Sequence, residues 1–238
     1  MDVNISPDSI VYWAWGPVTL NATILFTWLV MAILSLGSWL ATRDLSVKRE
    51  ISRWQSLLEM LVLTIRDQIQ GIAGHEPRRY LPFIGTLFLF ISLSNLLSIV
   101  PGYEAPTGSL STTLALAICV FFAVPIFGIA QRGLLGYLKH YVQPSPILLP
   151  FHVISEVSRT FALAVRLFGN VMSGAIIVGI LVSIIPLFLP VVLEAFELLI
   201  GQIQAYIFAI LAMVYIASAA RTQQEGQEQE TQQQGAPD

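Results

Sequence analysis

Apolar positions in this chain come in blocks long enough to cross a bilayer. About 20 apolar residues cover the ~30 Å hydrocarbon core. Val18–Ala41, Tyr80–Val100 and Leu110–Ala130 each reach that length, and the second stops at Pro101-Gly102. Two longer blocks follow, Ile147–Ile185 and Val191–Ala219, with Pro186 and Pro190 as the turn signal between them. At 1.5 Å per residue, the first of these overruns the core if it stands upright. It is either broken near Pro150 or strongly tilted. The pattern predicts an all-α integral membrane protein with five to six membrane helices, the last two forming a long, tilted hairpin.

Between the first two blocks the period changes. Trp54, Leu57, Leu58, Leu61, Ile65 and Ile69 recur at helical spacing, with Arg49, Arg53, Glu59, Arg66 and Asp67 among them. This predicts an amphipathic helix within residues 45–74. It lies either on the cytoplasmic membrane surface or against a partner subunit. Residues 221–238 are rich in Gln and Glu and almost free of apolar side chains, so a disordered cytoplasmic tail is expected there. Residues 1–17 read as an external arm, 18–41 as membrane helix one, and 80–219 as the core with the other four. No internal repeat is visible.

Charge fixes the expected orientation. The chain is 55% hydrophobic and 11% charged, with mean hydropathy +0.72, whereas soluble domains carry about 25% charged residues. Arg43, Lys48, Arg49, Arg53, Arg66, Arg78 and Arg79 fall between blocks one and two, Arg132 and Lys139 between three and four, and Arg221 after five. The remaining connections carry no Lys or Arg. The positive-inside rule then places the N-terminus outside and the C-terminus in the cytoplasm. The first residues carry no basic region, so no cleaved leader is expected. The single cysteine, Cys119, excludes a disulfide framework and a Cys-based metal site.

Only Arg159 and Arg166 are left over, and both lie inside block four. Arg166 sits 19 residues from Ile185 and 20 from Pro146, too deep to snorkel easily. An arginine at that depth costs roughly 2.5–3.5 kcal/mol on insertion scales, and its guanidinium does not lose its proton. A chain that keeps such a cation uses it to face a buried anion or an aqueous path. His152, Glu156, Arg159, Arg166 and Asn170 share one helical stripe, with Ser155 close by. Glu156 can pair with Arg159 at i,i+3. Arg166 has no acid at i±3 or i±4, so its anion comes from elsewhere. Glu194, Glu197, Gly201 and Gln204 form a second stripe on block five. A plainer reading leaves His152, Glu156, Arg159 and Glu194 snorkelling to the interface, and Gln204 bonding a neighbouring helix.

The segment from Ser158 to Asn170, with Arg166-Leu167-Phe168-Gly169-Asn170 at its centre, resembles subunit a of F-type ATP synthases of the bacterial type. Asn95-Leu96-Leu97, Pro106-Thr107-Gly108-Ser109-Leu110 and Gln204-Ala205-Tyr206-Ile207-Phe208 extend the likeness over about residues 80–219. The resemblance implies a stator subunit beside a rotating ring of c subunits, held by b-type peripheral stalk subunits in a bacterial cell membrane. It implies two aqueous half-channels leading to the ring carboxylates, an essential arginine at Arg166, and the family's Asn and Gln at Asn170 and Gln204. No cofactor, metal or nucleic acid is implied. Three positions depart from the family pattern: His152 and Ala175 stand where Glu is common, and Glu197 where His is common. Glu197 then takes over the acid function missing at Ala175.

The sequence thus reads as an ion-translocating stator subunit that carries H+, with Na+ as the alternative. No Gly-rich phosphate loop is present, so the chain does not hydrolyse ATP by itself. A self-contained cation antiporter would call for inverted repeats and an in-chain acid near the arginine. A structural scaffold leaves Arg166 unexplained.

Overall fold

The computed structural model describes residues 7–15, 18–43, 53–73, 77–142, 149–184 and 189–221. Six α-helices dominate: α1 (Ala22–Arg43), α2 (Arg53–Ala73), α3 (Pro77–Leu96), α4 (Leu110–Val142), α5 (Leu149–Ile184) and α6 (Leu189–Arg221). All but α2 are long and apolar enough to cross a membrane. The expected five-span, all-α membrane architecture is therefore present. Apart from Arg221, the C-terminal tail lies outside the described residues, as do positions 1–6 and 16–17 of the external arm.

One local expectation changes. Residues 18–21 are not part of the first membrane helix. They form strand β2 (Val18–Asn21), antiparallel to β1 (Val11–Trp15), with Trp13 opposite Leu20 and Trp15 opposite Val18. Val18 and Thr19 are β-branched and favour the extended form. The helix starts at Ala22, whose N–H donates to the Ile10 carbonyl at 2.9 Å. Of the two readings left open for the long fourth block, the structure has the unbroken helix. Pro150 lies in the first turn of α5, where a missing N–H costs nothing. Its 36 residues make a helix of about 54 Å, well beyond the bilayer core.

The core lies where α6 meets α3, α4 and α5. Ala205, Ala209 and Ala212 recur on one face of α6 and are at most 5% exposed. Small side chains at that spacing let neighbouring helices approach closely, which replaces the hydrophobic drive that lipid cannot supply. Phe208, Met213, Ile216, Tyr80, Ile91, Leu163 and Leu167 fill the remaining volume. Trp28, Met31, Leu36, Trp39 and Leu40 of α1 are exposed, as expected for side chains that meet lipid. Helix α2 packs against the chain's own core. Ile65, Ile69 and Ile72 pack into the core cluster, and Tyr206 Oη of α6 donates to Gln68 Oε1 at 3.0 Å.

The connection between α3 and α4 is built rather than slack. Gly102 adopts φ 85°, a left-handed turn that suits glycine. A 3-10 turn (Pro106–Gly108) follows, wholly buried. Asp8 ties the N-terminal segment to it. One carboxyl oxygen accepts from Thr23 Oγ1 and the other from Ser109 Oγ, both at 2.7 Å. Asn95, 5% exposed, closes the assembly. Its Nδ2 donates to the Gly201 carbonyl of α6 at 2.8 Å, and its Oδ1 accepts from Thr107 Oγ1 at 2.9 Å. Removing one partner of such buried bonds leaves the others unsatisfied at about 1–3 kcal/mol. Asn95→Ala is therefore expected to lower the thermal midpoint of the assembled complex by several degrees, measured in detergent. Ser98→Ala, which removes only a local bond to the Asn95 carbonyl, is expected to shift it little.

Candidate functional site

Helix α5 is covered on one side only. Leu163, Ala164 and Leu167 are 0–1% exposed against the bundle. The opposite stripe, Ser155, Arg159, Ala162, Arg166, Ser173, Ile177 and Ile180, is exposed. Within the described residues Arg166 makes no hydrogen bond or ion pair. A permanent cation on a bare helix face, flanked by small side chains at Ala162, Gly169 and Ser173, has the shape of half a contact.

Arg159, two turns along the same stripe, behaves differently. Its guanidinium lies over the Tyr215 ring of α6, 5.5 Å from the centroid, a cation–π placement. The expected Glu156–Arg159 pair is not closed as a salt bridge among the described residues. Glu156 is half-buried, while His152 and Ser155 are exposed on the stripe that leads from Arg166 toward the start of α5.

On the other side of Arg166 lies a cavity of about 320 Å³. Asn170, one turn from the arginine, is part of its wall. So are Ser173, Gly174 and Ala175 of α5, Glu197 and Gly201 of α6, Asn95 and Ser98 of α3 and its end, and Glu104 of the connection. Pro7 of the N-terminal segment borders it as well. Glu197 reaches across to α5 at Gly174, where a Cβ would overlap its carboxyl oxygen. The glycine makes room for the acid. Glu197 Oε1 is buried without a hydrogen-bond partner among the described residues, so this carboxyl keeps an acceptor free. At Gly201 an added Cβ would come within 3.1 Å of Asn95 Nδ2. Both glycines therefore allow polar side chains to sit in a tight helix contact.

The expected site residues divide. Asn170 and Glu197 meet at this cavity. Glu194 is exposed and does not line it. Gln204 is 7% exposed, lies off the cavity wall, and leaves its Nε2 without a partner among the described residues. Asn95 and Glu104 join the site although no stripe pointed to them. Asn95 is a carboxamide in the last turn of an apolar span, and Glu104 is the one acid beside the Pro101-Gly102 turn, so a signal existed for each. Burial pushes the Glu104 carboxyl above the usual carboxylate range, because the charged form loses solvation.

Known proteins share this arrangement in sequence. A family model described as ATP synthase A chain matches residues 24–217. ATP synthase subunit a 2 of Acaryochloris marina is 61% identical over 222 residues, covering 93% of this chain and 95% of that protein. ATP synthase subunit a 1 of Crocosphaera subtropica is 60% identical over 222 residues, covering 93% and 96%. ATP synthase subunit a of Albidiferax ferrireducens is 58% identical over 219 residues, covering 92% and 95%. A membrane bundle that leaves a charged helix face uncovered, matched over nearly its whole length by these proteins, belongs to the ATP synthase A chain family.

Proposed function

We propose that this chain is the ion-translocating stator subunit of a rotary ATP synthase, in which Arg166 faces the carboxylates of a ring of c subunits. The observation that carries this reading is Arg166, without a partner among the described residues, on the bare face of α5 and one turn from a polar cavity. The chain supplies the ion path, while nucleotide chemistry belongs to other subunits. Peripheral stalk subunits hold it against the ring in a bacterial cell membrane, with the N-terminus outside and the C-terminus in the cytoplasm.

The cavity reads as the outer half-channel. In that orientation the 101–109 connection and the start of α6 lie on the outer side. Glu104 stands near the mouth, and Glu197 and Asn170 lie deeper. Protons pass from one carboxyl to the next and reach a ring carboxylate beyond Asn170. His152, Ser155 and Glu156 mark the inner path, on the same stripe as Arg166 and toward the cytoplasm. An ionised ring carboxylate is drawn to Arg166 after it has released its proton inward. Arg166 also repels any cation that would pass directly between the two paths. A membrane potential contributes about 2.3 kcal/mol per charge per 100 mV and so biases entry from one side. The carboxyl chain favours H+ as the coupling ion. Rates independent of external Na+ are expected, and strict Na+ dependence would reassign the ion.

Three outcomes test this reading. Arg166→Ala is expected to abolish ATP-driven pumping while the complex still assembles, and Arg166→Lys to recover little of it, since a buried lysine can shed its proton. Near-normal pumping by assembled Arg166→Ala complexes, measured in vesicles, contradicts the proposal. Glu197→Gln is expected to slow transport about tenfold or more, and Glu194→Gln far less, in keeping with general acid–base contributions of about 10²–10⁴. Wild-type rates for both would remove the acids from the path. The third outcome concerns pH. Glu104 holds its proton to higher pH than an ordinary glutamate. Its carboxyl matters most where protons are scarce outside. Glu104→Gln is expected to depress ATP synthesis at neutral to alkaline external pH and to change it little in acid. Equal losses across the pH range would argue for a purely structural role.

A further inference from the structure

A second polar cavity lies away from the ion path, at the opposite end of α3 from the connection that carries Glu104. It measures about 490 Å³, and Arg66 of α2 and Pro77, Arg78 and Arg79 of α3 line it. Three arginines line it, with no acid in the lining among the described residues. Arg66 Nε is buried and has no hydrogen-bond partner among the described residues. Arg79 Nη2 makes only a long bond of 3.4 Å to the Ala130 carbonyl. The donors are thus gathered and largely unused. Buried donors without partners are rare, and an unseen ion is one of the accepted reasons for them.

We propose that Arg66, Arg78 and Arg79 form a binding site for the phosphate group of an anionic phospholipid. Guanidinium forks match tetrahedral phosphate oxygens in bidentate fashion, and such bonds are about twice as strong as neutral ones. The position selects a lipid as the source of the phosphate. Pro77 opens the apolar span Pro77–Ile99, so Arg78 and Arg79 stand at headgroup level. Leu58, Met60, Val62 and Leu63, one to two turns before Arg66 on α2, are exposed and apolar, which suits a helix that rests among acyl chains. Basic pockets between membrane helices at this level recognise anionic headgroups. The lipid bridges α2 to α3 and steadies the α2 contact with the core. The site carries no role in proton transfer, so it stands or falls independently of Arg166.

The experiment is native mass spectrometry of the whole purified complex. The complex is first equilibrated with vesicles of mixed phosphatidylcholine and phosphatidylglycerol, then extracted into detergent. The wild type is expected to retain phosphatidylglycerol. The triple variant R66Q/R78Q/R79Q is expected to retain about tenfold less, the loss of at least one charge-assisted bond. Should the triple variant fail to assemble, R78Q and R66Q alone decide: each is expected to cut retention several-fold, and R78K to restore part of it. A parallel arm adds millimolar inorganic phosphate to the same mixed vesicles. Phosphate that displaces retained phosphatidylglycerol from the wild type, and not from the variants, supports the phosphate chemistry of the site. Phosphate bound without any retained lipid overturns the lipid source. Equal phosphatidylglycerol retention in wild type and assembled variants, with no effect of phosphate, overturns the site. An acidic segment of another subunit cross-linked to Arg78 would overturn it as well.

Discussion

The structure turns on one unfavourable group, the guanidinium of Arg166. It is permanently charged, it sits near the middle of an apolar helix, and it has no partner among the described residues. A bilayer does not tolerate that arrangement for an isolated subunit without cost. The fold responds by presenting the charge. The bundle covers Leu163, Ala164 and Leu167 and leaves the Arg166 stripe bare, with small residues on either side so that another helix can come close. An uncovered face is normally a liability. On the proposed reading, an approaching carboxylate relieves that cost and is held by it.

The polar cavity depends on the same economy of small residues. Gly174 gives way to Glu197, and Gly201 to Asn95, so two polar side chains occupy contacts that would otherwise be closed by methyl groups. Asn95 joins α3, α6 and the buried 106–108 turn, and Asp8 joins that turn to the start of α1. The wall of this cavity is therefore tied to parts of the chain that are far apart in sequence. Asn170 is the hinge of the arrangement in space: it belongs to the cavity wall and lies one turn from Arg166.

Much of this was legible in the sequence. Block length set the number of spans, and the depth and isolation of Arg166 marked the site. Whether α5 breaks near Pro150 was left open, because only the observed start at Leu149 puts that proline in a first turn, where it does not break a helix. Other features were hidden for physical reasons. Strand β2 lies in an apolar, β-branched stretch that satisfies both a helical and an extended reading, and only its pairing with β1 decides. The stripe on α6 put Glu194, Glu197 and Gln204 together, because helical spacing alone cannot say which flank a neighbour covers. Packing brings Glu197 to the cavity, exposes Glu194 and buries Gln204 elsewhere. Asn95 and Glu104 enter the site through tertiary contacts across about 100 residues in one case and through a turn in the other, and periodicity carries no trace of either. Likewise Arg159 finds the Tyr215 ring of α6, a partner that lies beyond the reach of an i,i+3 rule.

The central claim is that the bare stripe of α5 meets the ring carboxylates. Disulfide cross-linking within the assembled complex tests it most directly, after Cys119 is replaced by serine. Single cysteines are placed on α5 and paired with a cysteine beside the carboxylate of the ring subunit. The account expects rapid cross-links from A162C and S173C, which share the exposed stripe with Arg166, and none from L163C or A164C, which face the bundle. Cross-links from the buried pair, or equal silence from all four in an active complex, would contradict it.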